Sequence, residues 1–160
     1  MTRLSLALYL FALASAVLAG GIPVARADAD LGAAMEAEFA ALNAEREAAG
    51  LPALSRTPAV QDVATTRAAT LAASGVLSHT APAGQDVVSL LQAHGIWCTR
   101  FGENVGQSDV AVAELVPTLH TAWMHSPAHR ANILDPTFHQ VGLGVAQAGD
   151  TVFAAIIFLD

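Results

Sequence analysis

An α+β layered domain, with a small antiparallel sheet between helices, is the fold class the sequence predicts, on three observations. The first 70-odd residues carry two helical stripes. The chain ends on two strand-like runs, Gln140–Ala148 and Thr151–Leu159, split by the turn pair Gly149-Asp150. Val152 to Leu159 is apolar throughout, as a central strand covered on both faces must be. Helices followed by helices mixed with strands and then a hairpin fit layers, not a parallel α/β sheet.

The N-terminal stretch is set apart. Arg3, an apolar run from Leu4 to Ala19 and the small-x-small site Ala25-Arg26-Ala27 read as a secretory signal peptide over residues 1–27, leaving one domain, 28–160. The run is short for a retained membrane span. Removing Arg3 and Arg26 leaves five arginines against fourteen acidic residues, a formal charge of −9 with neutral histidines, which makes nucleic acid and anionic lipid poor partners. All seven basic residues are arginine, so Schiff-base chemistry and a lysine general base are excluded. Cys98 is the single cysteine, so the exported domain has no internal disulfide and depends on its core. It reads as a small buried hydrophobe in a monomer, with an intermolecular bridge open to it as a lone thiol in an oxidising compartment.

Leu31, Met35, Phe39 and Leu42 mark one face of a helix closed by Gly50, with Glu36, Glu38, Glu45, Glu47 and Arg46 expected on its solvated side and Asn43 on its inner side. Thr57-Pro58 opens a second helix striped by Val60, Val63, Ala64, Ala68 and Leu71, ending at Ser74-Gly75. A turn-rich loop carries Ser78-His79-Thr80, and Asp86 caps a short third helix that ends near His94. Ile96–Phe101 is expected to be extended, and Gly102-Glu103-Asn104-Val105-Gly106 to bend. Pro117 argues for a loop or short turn from Gln107 to about Leu115 and a helix from about Pro117 to His125. Ser126-Pro127 then caps a new short helix, with His129 in its first turn, that ends near Leu134.

His79, Glu103 and His129 are the chemically capable residues, two imidazoles and a carboxylate placed at bends or helix starts. They could supply three ligands of a zinc site with a fourth position for water, or they could form a satisfied hydrogen-bond network holding loop to helix. The helix dipole at the start of the last helix should disfavour protonated His129. His120, His125 and His139 read as surface or packing residues, Arg130 as a partner for a helix end or carboxylate, Asn132 as a loop-tying amide and Trp123 as core. No Gly-x-Ser-x-Gly elbow and no His-Glu-x-x-His helix is present.

Four motifs in order, Leu42-Asn43-x-x-Arg46-x-x-x-Gly50-Leu51, Ser78-His79-Thr80, Gly102-Glu103-Asn104-Val105 and Trp123-Met-x-Ser-Pro-x-His-Arg-x-Asn-Ile-Leu134 running on to Val141-Gly-Leu-Gly-Val145, resemble bacterial SCP-domain members of the CAP superfamily. The resemblance implies an α-β-α sandwich and a cavity tetrad of two histidines and two glutamates. The matching positions are His79, Glu103, His129 and Ser126, the last a hydroxyl where the family has its second glutamate. It also implies supporting roles for Asn104, Arg130 and Asn132. It further implies a non-catalytic secreted binding module, periplasmic or extracellular, whose cavity holds zinc or another divalent metal and whose helix grooves hold lipid-like ligands. The alternative is a metal-assisted hydrolase of peptides or cell-envelope material, with Glu103 as its base.

Overall fold

The computed structural model describes the backbone of residues 24–160; the apolar run Leu4–Ala19 lies outside the described residues. The elements are α1 (Val24–Ala48), α2 (Pro58–Ser74), α3 (Val87–Ala93), β1 (Phe101–Ser108), α4 (Val112–His125), α5 (Pro127–Ile133), β2 (Gln140–Ala148) and β3 (Thr151–Leu159). The three strands form an antiparallel sheet in the order β1-β3-β2. No described helix is long and apolar enough to cross a membrane.

β3 organises the layers. Its residues Val152, Ala154, Ile156 and Phe158 pack with Leu31, Met35 and Leu42 of α1, Leu115, Leu119 and Trp123 of α4 and Ile133 of α5. The alternate residues Phe153, Ala155, Ile157 and Leu159 pack with α2 and α3. This period of two buries both faces and makes the expected sandwich, α2 and α3 on one side and α1, α4 and α5 on the other. Glycines set the closeness of α2: a Cβ at Gly142 would lie 2.2 Å from the Val60 carbonyl oxygen, and one at Gly144 only 1.9 Å from that of Ala64. The helix backbone therefore rests directly on β2, which the alanines of α2 also permit.

Both outer strands have edges that side chains cover. On β2, the Gln61 amide donates to the Leu143 carbonyl (2.6 Å) and accepts from the Leu143 N–H (3.3 Å), while Ser55 bonds the backbone at His139 and Val141. On β1, Asn132 donates to the Glu103 carbonyl and Trp123 Nε1 to that of Val105.

Several expectations are corrected. The segment Gly102–Gly106 does not bend but lies inside β1, its glycines serving close approach: a Cβ at Gly102 would lie 2.9 Å from Asn132 Oδ1, and one at Gly106 would lie 3.0 Å from Leu119 and Trp123. Ile96–Arg100 precedes the strand instead of forming it. Helix α4 starts at Val112 with Pro117 inside it; Pro117 and Ala113 are both exposed, so water can hydrate the carbonyl that the proline leaves without a donor. Ser126 and Thr57 hold the N-cap backbone positions without a side-chain cap bond, whereas Asp86 does cap α3 through Ser89.

The largest correction concerns charge on α1. Glu38 and Arg46 are not on a solvated face; they are 1% and 0% exposed. Arg46 donates to the carbonyls of Pro52 (2.9 Å), Ile133 (2.9 Å), Asp135 (2.8 Å) and Phe138 (3.0 Å), tying α1 to the turn between α5 and β2. Glu38 pairs with His120 of α4 at 2.9 Å, so His120 is an interior partner and not a surface histidine.

Candidate functional site

Arg67 assembles the site. It belongs to α2 and is 1% exposed, on the same stripe as Val60, Val63, Ala64 and Leu71. Its Nε donates to Glu103 Oε1 at 2.7 Å, and its Nη2 donates to the Ser78 carbonyl. One guanidinium thus registers β1 against the loop that carries His79. Sequence reasoning missed it. The signal was available, since an arginine seven residues after Val60 and four before Leu71 falls on the apolar face of the helix.

Glu103 is the hub, its side chain 7% exposed. The oxygen not held by Arg67, Oε2, lies 2.7 Å from His79 Nδ1. An ionised Glu103 can only accept there, so His79 Nδ1 is the donor and Nε2 is the ring nitrogen left to face outward. The His79 side chain is 60% exposed, so a pinned imidazole faces solvent. The ring of His129 is 6.4 Å from that of His79, centroid to centroid. Burial first, and the neighbouring His79 second, hold His129 below the ordinary histidine range. The direction expected from the helix start is found, with desolvation as its leading cause.

The two asparagines lock α5 to β1. Asn104, fully buried, donates to the His129 carbonyl (3.1 Å) and accepts at Oδ1 from Asn132 (2.8 Å). Beside them opens a cleft of about 440 Å³ lined by His79, Val88, Phe101, Glu103 and Asn132, among others. The structure therefore brings together His79, Glu103, His129, Asn104 and Asn132. His129, Asn104 and Ser126 do not line that cleft, and Arg130 is exposed with no ion-pair partner among the described residues. No three His, Cys, Asp or Glu side chains among the described residues converge as a metal-binding group. The donors present are two imidazoles with an orienting carboxylate behind one of them, and a carboxylate on the far ring nitrogen fixes which nitrogen of His79 faces outward. Cys98 is half-buried against the α2/α3 cluster, and burial, then Asp160, pushes its thiol up, away from reactivity.

Known proteins share this architecture. An extracellular SCP-domain protein of Bacillus anthracis superposes with a TM-score of 0.75 at 22% identity, over 88% of this chain and 45% of its own. An outer surface protein of Borrelia burgdorferi gives 0.68 at 16% identity, over 79% of this chain and 92% of its own. In sequence, the uncharacterised protein YkwD of Bacillus subtilis is 29% identical over 107 residues, which are 67% of this chain but only 40% of YkwD, so the chain spans less than half the length of that relative. The profile of the CAP, or Cysteine-rich secretory protein, family matches residues 39–159, strand β1, both histidine-bearing segments and the terminal hairpin included, and the chain belongs to that family.

Proposed function

We propose that this chain is an exported, non-catalytic binding module that holds a divalent metal of the zinc type between His79, which lines the cleft, and the neighbouring His129. The observation that carries this is the relay Arg67–Glu103–His79, in which a buried guanidinium fixes a carboxylate and the carboxylate fixes an exposed imidazole. Pinning of one imidazole in advance suits a weak, water-completed metal site, since His79 does not have to be ordered on binding. His129, disfavoured in its protonated form, is ready as the second ligand. Glu103 orients; it does not ligate. The same occupancy counts against the hydrolase alternative, because each Glu103 oxygen is already engaged, one by the buried Arg67 and the other by His79, and neither is aimed at an open position for water. Extracellular and outer-surface descriptions of the B. anthracis and B. burgdorferi proteins support export. For a lipid-like ligand the α1/α2 groove of about 640 Å³ offers the apolar Leu31, Met35, Leu143 and Val145 beside a polar rim that includes Glu36 and Arg56.

Zinc stoichiometry by calorimetry and elemental analysis tests the metal reading, on the parent chain and on His79→Ala and His129→Ala variants whose fold is checked by circular dichroism. One equivalent in the parent, lost in both variants, is the expected result. A folded parent without stoichiometric metal sinks it and leaves the relay as a structural network.

A further inference from the structure

Away from the cleft, α1 and α4 meet at a cluster of three titratable side chains that the proposed metal site does not use. His120 of α4 places Nδ1 2.9 Å from Glu38 Oε1 and Nε2 3.7 Å from Glu45 Oε1. Glu38 is 1% exposed, and its second oxygen, Oε2, is buried without a hydrogen-bond partner. The imidazole side chain is 15% exposed, between a carboxylate that is out of water and one that is half in it. Both charged groups facing it are on α1. Among the described residues, β1 and α5, the other elements packed on α4, bring no charged group within ion-pair reach of His120, and Glu114 and His125 on α4 itself do not contact it.

We propose that His120 is a proton-operated latch between α1 and α4, closed when the imidazole carries two protons and released when it loses one. Doubly protonated, the ring donates to Glu38 and faces Glu45, and its charge offsets that of a carboxylate removed from water. Singly protonated, it keeps a donor for only one of them, and the carboxylate of Glu38 is left in the interior with a neutral partner and an unsatisfied oxygen, a costly arrangement. The hydrogen bond to Glu38 is the main influence raising His120 above the ordinary histidine range, and it outweighs burial, which acts the other way. A raised value in the folded state means that the stabilisation is complete below the unfolded histidine value of about 6.5 and is lost as the pH rises through the folded one. One turn from the latch along both helices is an apolar groove of about 530 Å³, lined by Ala33, Ala34 and Ala37 of α1 and Val112, Val116 and Pro117 of α4. Opening the latch therefore loosens that wall first.

The test uses the chain with Cys98→Ala and spin labels at Ala40→Cys and Thr118→Cys, both exposed positions, alongside an NMR titration of His120. The expected result is a narrow distance distribution at pH 5.5 that broadens or lengthens by pH 8.5, with a midpoint matching that of His120 and above the free-histidine value. In His120→Gln the distribution should not change with pH. For each unit by which the midpoint exceeds the free value, the folding constant of the parent should fall tenfold across the window. Identical distributions at the two pH values, or a pH response retained in His120→Gln, overturn the proposal. Should His120→Gln fail to fold, the isosteric Glu38→Gln takes its place: a midpoint returned toward the free-histidine value supports the latch, and an unchanged one overturns it.

Discussion

Replacing Arg46 with methionine keeps the apolar stem in place but removes all four donors to the carbonyls of Pro52, Ile133, Asp135 and Phe138. Bonds from a charged donor contribute about 1.5–3 kcal/mol each, so the gross loss is roughly 6–12 kcal/mol. Much of this is offset, because the guanidinium no longer has to leave water, a cost that burial expresses by lowering its proton affinity. What remains is set by the orphaned acceptors. The bonds to Ile133 and Phe138 are fully buried, and each carbonyl left without a donor costs about 1–3 kcal/mol. A net loss of about 3–5 kcal/mol follows, the range for breaking a buried charged network. Against a typical domain stability of 5–15 kcal/mol this is severe. With a urea slope of about 2 kcal/mol/M it moves the unfolding midpoint down by roughly 2 M. Urea titration followed by tryptophan fluorescence gives the answer. A loss below about 1 kcal/mol would refute the claim that Arg46 satisfies the α5–β2 turn, and would mean that water replaces it there.

Three further outcomes are expected. Gly144→Ala forces a Cβ to within 1.9 Å of the Ala64 backbone oxygen, so α2 must lift from β2; overpacking costs about 1–3 kcal/mol and a clash with backbone belongs at the top of that range, and a thermal midpoint equal to that of the parent would show the contact to be loose. His129 should titrate below free histidine by NMR and shift upward in His79→Ala. Because its folded value is depressed, it contributes stability that is present above about pH 6.5 and lost as the pH falls below that; a His129→Gln chain should be less acid-sensitive by the same amount. Glu103→Gln leaves the buried Arg67 guanidinium without its charge partner and should lower stability by about 3 kcal/mol in chemical denaturation, whereas an unchanged midpoint would mean that the Ser78 carbonyl alone satisfies Arg67.

The distance between legible and illegible features is clearest on two helices. On α2 the apolar stripe was readable because a period of 3.6 in residues of one type is a property of the local sequence, and each of the five stripe residues is buried. Arg67 occupies the same stripe but was not read as part of it, since an arginine on an apolar face becomes interpretable only when its carboxylate is known, and Glu103 lies 36 residues away. Glu38 and Arg46 on α1 were assigned to solvent by residue type for the same reason: their partners, His120 and the carbonyls near residues 133–138, are supplied from more than 80 residues downstream. The bend expected at Gly102–Gly106 failed differently. Glycine permits both a bend and a close approach, and which of the two it serves depends on what packs over it, here Asn132, Leu119 and Trp123.

The layered α+β class, the central position of β3 and the family were legible in the sequence alone. Each of these rests on information local to the chain: apolar periodicity, turn residues at fixed offsets, or short motifs in order. The tertiary structure alone decided how the charges are used. It made Arg67 the organiser of the site, held Glu103 between Arg67 and His79, and took Glu38 and Arg46 into the interior. The physical reason is that burying a charge is unfavourable unless a partner meets it. That partner comes from a distant segment, so the balance is settled only when the layers close.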